Sequence, residues 1–314
     1  MLARVLTIVA CGFIYPVVGT AQTVSTPIVG FYKKSYPAGG SLQTVALLKP
    51  VSFQGVASGI SGSVLTCSTA SWTANAFAPS KGLPSFYVEI TSGALEGYLF
   101  DIVSNTSTSI TVDNAITGAG SSANFIVRAH TKLSEALASA SNLVDYNDQV
   151  TVYNSDASSV SFLRDSSTST GWVDAGTFAE SDAVIYPSQG YVLTSGSSGT
   201  YTVTGSLKTT PTAVPMYPGA VNIVSLSNPG GVSKNIQAIG LGAGLADYSD
   251  QLATYTNDGN LSTQNALIYG GPADGWLDAG SFSPVSNVSV EGVAPFIVTV
   301  TTPSVWKVSA PLNQ

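Results

Sequence analysis

Hydrophobic positions along this chain fall in short runs rich in β-branched and aromatic residues, separated by clusters of glycine, proline, asparagine and serine. Residues 44–48, 63–67, 86–90, 109–113 and 125–128 are of this kind, and so are 191–193, 201–204, 221–224, 296–300 and 305–308. Runs of this length and composition predict strands, and many of them with frequent turns predict sandwich or barrel layers. Helical patterning is confined to residues 132–138 and, more weakly because of its glycines, 236–246. The expected fold class is all-β with one or two short helices.

The polar positions carry a second pattern. Asp145-Tyr146-Asn147-Asp148-Gln149 returns as Asp247-Tyr248-Ser249-Asp250-Gln251, and Gly171-Trp172-Val173-Asp174-Ala175-Gly176 returns as Gly275-Trp276-Leu277-Asp278-Ala279-Gly280, in the same order. Tyr153 and Tyr255 follow the first block at the same distance, and Phe178 and Phe282 follow the second. Upstream, Tyr36-Pro37 and Tyr217-Pro218 each open a strand that ends at a proline, Pro50 or Pro229. A self-similarity of this length marks a duplicated supersecondary unit. The copies differ in the long stretch that separates Pro50 from the first helical segment, so residues 52–130 are expected to be a small β-domain inserted into the first module. The resulting division is 22–35 as an extended N-terminal arm, 36–51 plus 131–210 as module 1, and 215–314 as module 2.

Composition changes the picture in one respect. Only 9% of residues are charged and the mean hydropathy is +0.27, whereas about 25% charged is usual for a soluble domain. A surface solvated by Ser, Thr, Gly and Asn repels its neighbours weakly and favours close association. The net charge of −7 offers no basic stripe for phosphates, which excludes nucleic acid as a partner. One arginine precedes an apolar run over residues 5–18, and Gly19-Thr20-Ala21 follows it. This reads as a signal peptide over residues 1–21 with cleavage after Ala21, the competing reading being lipidation at Cys11. Export follows, with no integral membrane segment after processing, to the extracellular space or the cell surface. Cys67 is then the only remaining cysteine, and no intrachain disulfide can form.

The repeated blocks, together with Phe86-Tyr87-Val88-Glu89-Ile90-Thr91-Ser92-Gly93 and Gly97-Tyr98-Leu99-Phe100-Asp101-Ile102-Val103-Ser104-Asn105-Thr106, resemble a family of uncharacterised secreted β-rich proteins of verrucomicrobial bacteria. The resemblance covers nearly the whole mature chain and implies export and β-structure. It brings no activity and no catalytic residues with it.

The candidate chemistry is sparse. Tyr146, Trp172, Tyr248 and Trp276 recur at equivalent positions and are expected in the module cores, with the Asp and Gly residues of their blocks forming tight turns. Asp145, Asn147, Asp148, Asp247 and Asp250, and separately Asn257-Asp258-Gly259-Asn260, offer oxygen ligands of the type Ca²⁺ takes, but their spacing matches no recognised loop and turn formation is the better account. His130 is the only histidine and is expected at the surface or in a strand-end contact. No Gly-x-Ser-x-Gly turn accompanies it, and one His with one Cys cannot fill a zinc site. Glu89 and Asp101 are a conceivable carboxylate pair, although strand alternation would turn Glu89 to solvent. Gly240-Leu241-Gly242-Ala243-Gly244 imitates a nucleotide loop by letters only. No cofactor and no catalytic residue are assigned, and an enzyme is not expected. In the N-terminal arm, Val24, Ile28, Val29, Phe31 and Tyr32 form an apolar, extended segment suited to completing a sheet in a neighbouring subunit. The leading expectation is therefore a structural protein that self-associates. The alternative is a carbohydrate-binding module or adhesin that uses exposed Trp72, Trp172 or Trp276.

Overall fold

The computed structural model describes residues 28–313. The signal-peptide reading, the lipidation alternative at Cys11, the first residues of the arm and Val24 lie outside the described residues. The described chain is nearly all β with one short helix, as the run pattern predicts. It begins with β1 (Val29–Tyr36) and β2 (Gly39–Thr44). Seven strands follow: β3 (Val51–Val56), β4 (Gly59–Ser61), β5 (Val64–Thr66), β6 (Phe86–Ile90), β7 (Leu99–Asn105), β8 (Ser109–Val112) and β9 (Asn124–Ala129). Then come β10 (Thr131–Lys132), α1 (Leu133–Ala136), β11 (Gln149–Tyr153), β12 (Ser159–Arg164), β13 (Trp172–Asp174), β14 (Val184–Ile185), β15 (Gly190–Ser195) and β16 (Gly199–Ser206). The last nine are β17 (Thr212–Met216), β18 (Asn222–Val224), β19 (Lys234–Asn235), β20 (Gln251–Tyr255), β21 (Thr263–Tyr269), β22 (Trp276–Asp278), β23 (Ser289–Val290), β24 (Phe296–Thr299) and β25 (Ser304–Val308).

Sheet order exposes the duplication. One five-stranded sheet runs β13-β12-β11-β15-β2 and the other runs β22-β21-β20-β24-β18, strand for equivalent strand. Each is accompanied by two ribbons, β1-β16 with β10-β14 in the first copy and β17-β25 with β19-β23 in the second. The strand β2 pairs with β15, across some 150 residues of chain, while β3 to β9 form a seven-stranded sheet of their own between them. Three separate hydrophobic clusters result. One holds Tyr36, Leu133, Val150, Trp172 and Tyr191, a second Val214, Leu252, Trp276, Phe296 and Trp306, and the third Leu65, Val88, Ile102, Phe125 and Val127.

Three local expectations are corrected. Residues 29–36 are not a detached arm, because β1 pairs antiparallel with β16 over its full length, as β17 pairs with β25. The predicted helix at 236–246 is one 3₁₀ turn, Ile236–Ala238, followed by turns at Gly240 and Gly244, both with positive φ. Regular helix is given up there because the Ile239 and Leu241 carbonyls turn inward to accept the indole N–H groups of Trp306 (3.1 Å) and Trp276 (3.0 Å). Likewise, the strand expected over 44–48 ends at Thr44; residues 45–48 leave the sheet, and the Leu48 N–H bonds Ser206 O at 2.9 Å.

The three parts meet along named contacts. Ser225 N–H donates to Ser188 O (3.0 Å), and the hydroxyls of Thr44 and Ser225 lie 3.1 Å apart. Gly40 N–H donates to Gly259 O at 2.7 Å, where a Cβ added to Gly259 would stand 1.9 Å from Ala38 O. That close approach, at a φ of 87°, requires glycine at position 259. It explains Asn257-Asp258-Gly259-Asn260 as a packing turn.

Candidate functional site

The repeated acidic residues prove to be structural clamps. Asp148 and Asp250 are fully buried. The Asp148 carboxylate accepts from Val144 N–H (3.0 Å), Gly196 N–H (2.8 Å) and the Ser195 hydroxyl (2.8 Å), and that of Asp250 accepts from Ala246 N–H (2.9 Å), Thr301 N–H (2.8 Å) and the Thr301 hydroxyl (2.7 Å). Burial pushes the Asp148 carboxyl up, but the donated hydrogen bonds outweigh it and hold the group below the usual range. In the second block, Asp174 Oδ1 accepts from Gly176 N–H (3.0 Å) and Thr177 N–H (2.8 Å); Asp278 Oδ1 accepts from Gly280 N–H (3.1 Å) and Ser281 N–H (2.8 Å). Among the described residues no group of three or more His, Cys, Asp or Glu side chains is arranged to hold a metal ion.

Trp172 and Trp276 are buried in the two module cores. Trp72 packs edge-on against Phe53 and Phe77 in the inserted sheet. The tryptophan platform of the carbohydrate reading is therefore absent at Trp172 and Trp276. Tyr146 and Tyr248 require the opposite correction, because both are exposed. Each occupies a left-handed backbone position, φ 58° and 53°, at the turn leading into β11 or β20, and that geometry swings the ring out of the core. Phe178 and Phe282, in the turn that follows the second block, share the conformation (57° and 54°) and the exposure. Tyr146 and Phe178 thus form one surface pair, ring centroids 6.4 Å apart, and Tyr248 and Phe282 form its equivalent at 6.5 Å. The regular recurrence of Phe178 and Phe282 in the sequence was the available signal for this arrangement.

The N-terminal apolar segment divides in two. Tyr32 faces inward, its hydroxyl donating to Thr44 O (3.3 Å) and accepting from Ala46 N–H (3.0 Å); burial pushes this phenol up to about 12. Ile28, Val29 and Phe31 are exposed, Phe31 by 75%. The side of β1 turned away from β16 has no strand partner among the described residues. The equivalent ribbon in the second copy is covered. There Ala213 N–H on β17 donates to Gly97 O of the inserted sheet (2.9 Å), and a Cβ on Gly97 would lie 2.9 Å from Pro211 O. Lys307 on β25 reaches over the Tyr98 ring of the same loop.

Where the inserted sheet meets the rest, the expected exposure of Glu89 fails, while His130 takes the strand-end contact, between β9 and β10. Glu89 is buried, because β6 is a central strand covered on both faces, so alternation does not bring it to solvent. Its carboxylate holds the Lys208 ammonium at 2.5 Å. Lys208, also buried, donates in addition to Thr210 Oγ1 (2.9 Å), Thr210 O (3.1 Å) and Pro211 O, so the pair fixes the link between the two copies. Desolvation lowers the Lys208 ammonium from its usual range, with Glu89 opposing the shift. His130 is buried as well. Its Nε2 lies 2.9 Å from Asp101 Oδ1, while Tyr87 and Tyr186 pack on its ring. Tyr186 from the first copy donates to Asp101 Oδ2 at 2.5 Å, and Glu89 and Asp101 do not form a carboxylate pair. Lys208 and Tyr186 carry no local sequence signal, since each acquires its role from a distant strand. Asp101, Asp113 and Tyr186 border a cleft of about 880 Å³ between the three parts. Burial, and next the neighbouring Asp101, raise the Asp113 carboxyl.

No helix among the described residues is long and apolar enough to cross a membrane. Compared with known proteins, the chain matches no family model, no curated protein and no solved structure.

Proposed function

We propose that this is a secreted, non-enzymatic structural protein that associates with copies of itself into an extracellular filament, sheath or surface layer. The observation that carries the reading is the unequal cover of two equivalent ribbons. In the second copy the free edge of β17 is met by the Gly97 carbonyl, whereas the β1 edge carries exposed Ile28, Val29 and Phe31 and meets no strand among the described residues. A bare eight-residue edge with apolar side chains is a template for pairing with another chain, and natural folds usually cover such edges. The occupant assigned here is β1 of a second copy, since two antiparallel edges complement one another about a two-fold axis. A second contact elsewhere on the weakly charged surface extends such pairs into a filament or layer. Lys33 is exposed on the same strand and limits the apolar part to its first half.

Sedimentation of the purified mature chain, with electron microscopy of the same material, tests the reading. Assemblies larger than the monomer are expected, and Val29→Asp with Phe31→Asp should dissolve the β1 contact without changing the far-ultraviolet circular dichroism. A wild-type chain that stays monomeric at high concentration refutes the proposal. Assemblies that the two substitutions leave intact refute the assignment to β1.

A further inference from the structure

The Tyr–Phe pairs are not absorbed by self-association through β1. Four bulky aromatic residues, Tyr146, Phe178, Tyr248 and Phe282, take left-handed backbone positions that L side chains adopt only at a cost, and all four are between 52% and 60% exposed. Glycine would remove the strain, and the chain uses glycine at many other turns of this conformation. Strain of this kind persists only where the surroundings over-determine it, and here they do so identically in both copies. Tyr146 N–H is held by Arg164 O (2.8 Å) and Tyr248 N–H by Tyr269 O (2.6 Å); Phe178 and Phe282 N–H are held by Asp174 O and Asp278 O, each at 2.8 Å. The buried Asp148 and Asp250 clamps sit two residues beyond the tyrosines. A rigid scaffold thus turns the same two rings to water twice.

Each pair also has carboxylates on its rim, supplied from different positions in the two copies. Tyr146 donates its hydroxyl to Asp165, and Tyr248 donates to Asp274 Oδ2 at 2.8 Å, so each phenolic oxygen keeps its acceptor capacity. Asp145 and Asp247 stand immediately before the tyrosines; Asp145 also accepts from Ser166 and lies 3.9 Å from Arg164, so the first site carries one cation among its carboxylates. The rings lean toward one another at 34° and 39°. Each site therefore offers apolar ring faces beside carboxylate acceptors. Such a combination suits a ligand with a C–H face and hydroxyl donors on its edge, which is the chemistry of a neutral sugar ring. Carboxylates repel anionic polysaccharides and anionic lipid headgroups. Two aromatic rings are also far smaller than the roughly 800 Å² per partner of a stable protein interface.

We propose that the Tyr146–Phe178 and Tyr248–Phe282 pairs are two equivalent platforms for a neutral polysaccharide, one on each copy of the repeated module. Two platforms on one chain make binding bivalent, and linked sites exceed the affinity of either by about 10²–10⁴ where both engage one strand. The carbohydrate function moves from the buried tryptophans to the strained, exposed pairs.

The test is affinity electrophoresis of the full mature chain in native gels containing mannan, xyloglucan, mixed-linkage β-glucan or dextran, with alginate and heparin as anionic comparisons. Pull-down on cellulose and chitin accompanies it. At least one neutral polysaccharide should retard or capture the protein. Tyr146→Gly or Tyr248→Gly alone should weaken that interaction by about 100-fold, and both together should abolish it. Melting temperatures should stay level or rise, because glycine relaxes the left-handed backbone. The same order is expected in the Val29→Asp, Phe31→Asp background, which separates this binding from avidity created by self-association. Binding of none of the neutral polysaccharides, retardation by alginate or heparin alone, or full binding by the double glycine variant overturns the proposal. A marked fall in melting temperature on Tyr→Gly substitution also overturns it, since the rings would then serve the fold.

Discussion

Replacing Lys208 by methionine should be among the most damaging single substitutions in the chain. Its ammonium lies 2.5 Å from Glu89 Oε1 with both side chains buried. At an effective dielectric of about 20 their attraction is on the order of 7 kcal/mol, and the several kcal/mol lost by each ion on leaving water cancels most of it. The pair as a whole is thus worth little. Its two halves are another matter, because Lys208→Met leaves Glu89 charged and without its counter-ion, for which about 3–5 kcal/mol is expected. Glu89 Oε2 already has no hydrogen-bond partner, so no existing contact on that oxygen compensates. The double variant Glu89→Leu, Lys208→Met removes both charges and should return to within about 2 kcal/mol of wild type, the residue being the Thr210 and Pro211 carbonyls left unmet. Urea unfolding followed by tryptophan fluorescence measures this and also locates it, because Trp72 reports the inserted sheet, Trp172 the first module, and Trp276 and Trp306 the second. A loss below about 1 kcal/mol for Lys208→Met, or a double variant less stable than either single one, would refute the reasoning.

Three further outcomes follow from the geometry. Burial lowers the Lys34 ammonium to about 7, with Glu291 opposing the shift. The native state then binds fewer protons than the unfolded one between about pH 7 and the ordinary lysine value of 10.5. Stability should therefore rise across that window by at most about 1.4 kcal/mol per pH unit, and Lys34→Met should remove the rise in a series of melting temperatures; parallel profiles would count against it. The depressed Asp148 carboxyl acts with the same sign in the acid range, contributing stability above the ordinary aspartate value that is lost as pH falls through its lowered native value. Asp148→Ala should flatten acid unfolding and cost about 3 kcal/mol at neutral pH, as read by urea titration at several pH values. Gly259→Ala places a Cβ 1.9 Å from Ala38 O; it should break the Gly40–Gly259 contact between the two copies and raise the radius of gyration in X-ray scattering, while both tryptophan cores survive.

The burial of Glu89 marks the limit of period-two reasoning. Alternation assigns faces correctly where one face of a sheet meets water, and β6 meets protein on both. Tyr146 and Tyr248 fail for a local reason instead: recurrence beside a buried aspartate suggests a core position, but a positive φ reverses the direction of the side chain. Recurrence detects equivalence, and equivalence does not say which way a residue points. The pairing of the first strand is not legible in sequence because its partner, β16, lies far along the chain; β1 and β17 occupy equivalent places in their ribbons.

What the sequence determined by itself is what depends on neighbours in the chain: short β-rich runs, turns at glycine and aspartate, and a duplicated order of blocks whose second copy needed no insertion. Trp172 and Trp276 also belong here, since a large apolar ring held at equivalent points of two modules has the core as its most favourable place. The tertiary structure alone decided everything that depends on which distant surfaces come together. It brought Lys208 to Glu89 and Tyr186 to Asp101, and covered β17 with the inserted sheet while leaving β1 bare. The physical reason is the same throughout: desolvation and cover are properties of packed surfaces, and no window of sequence contains both sides of one.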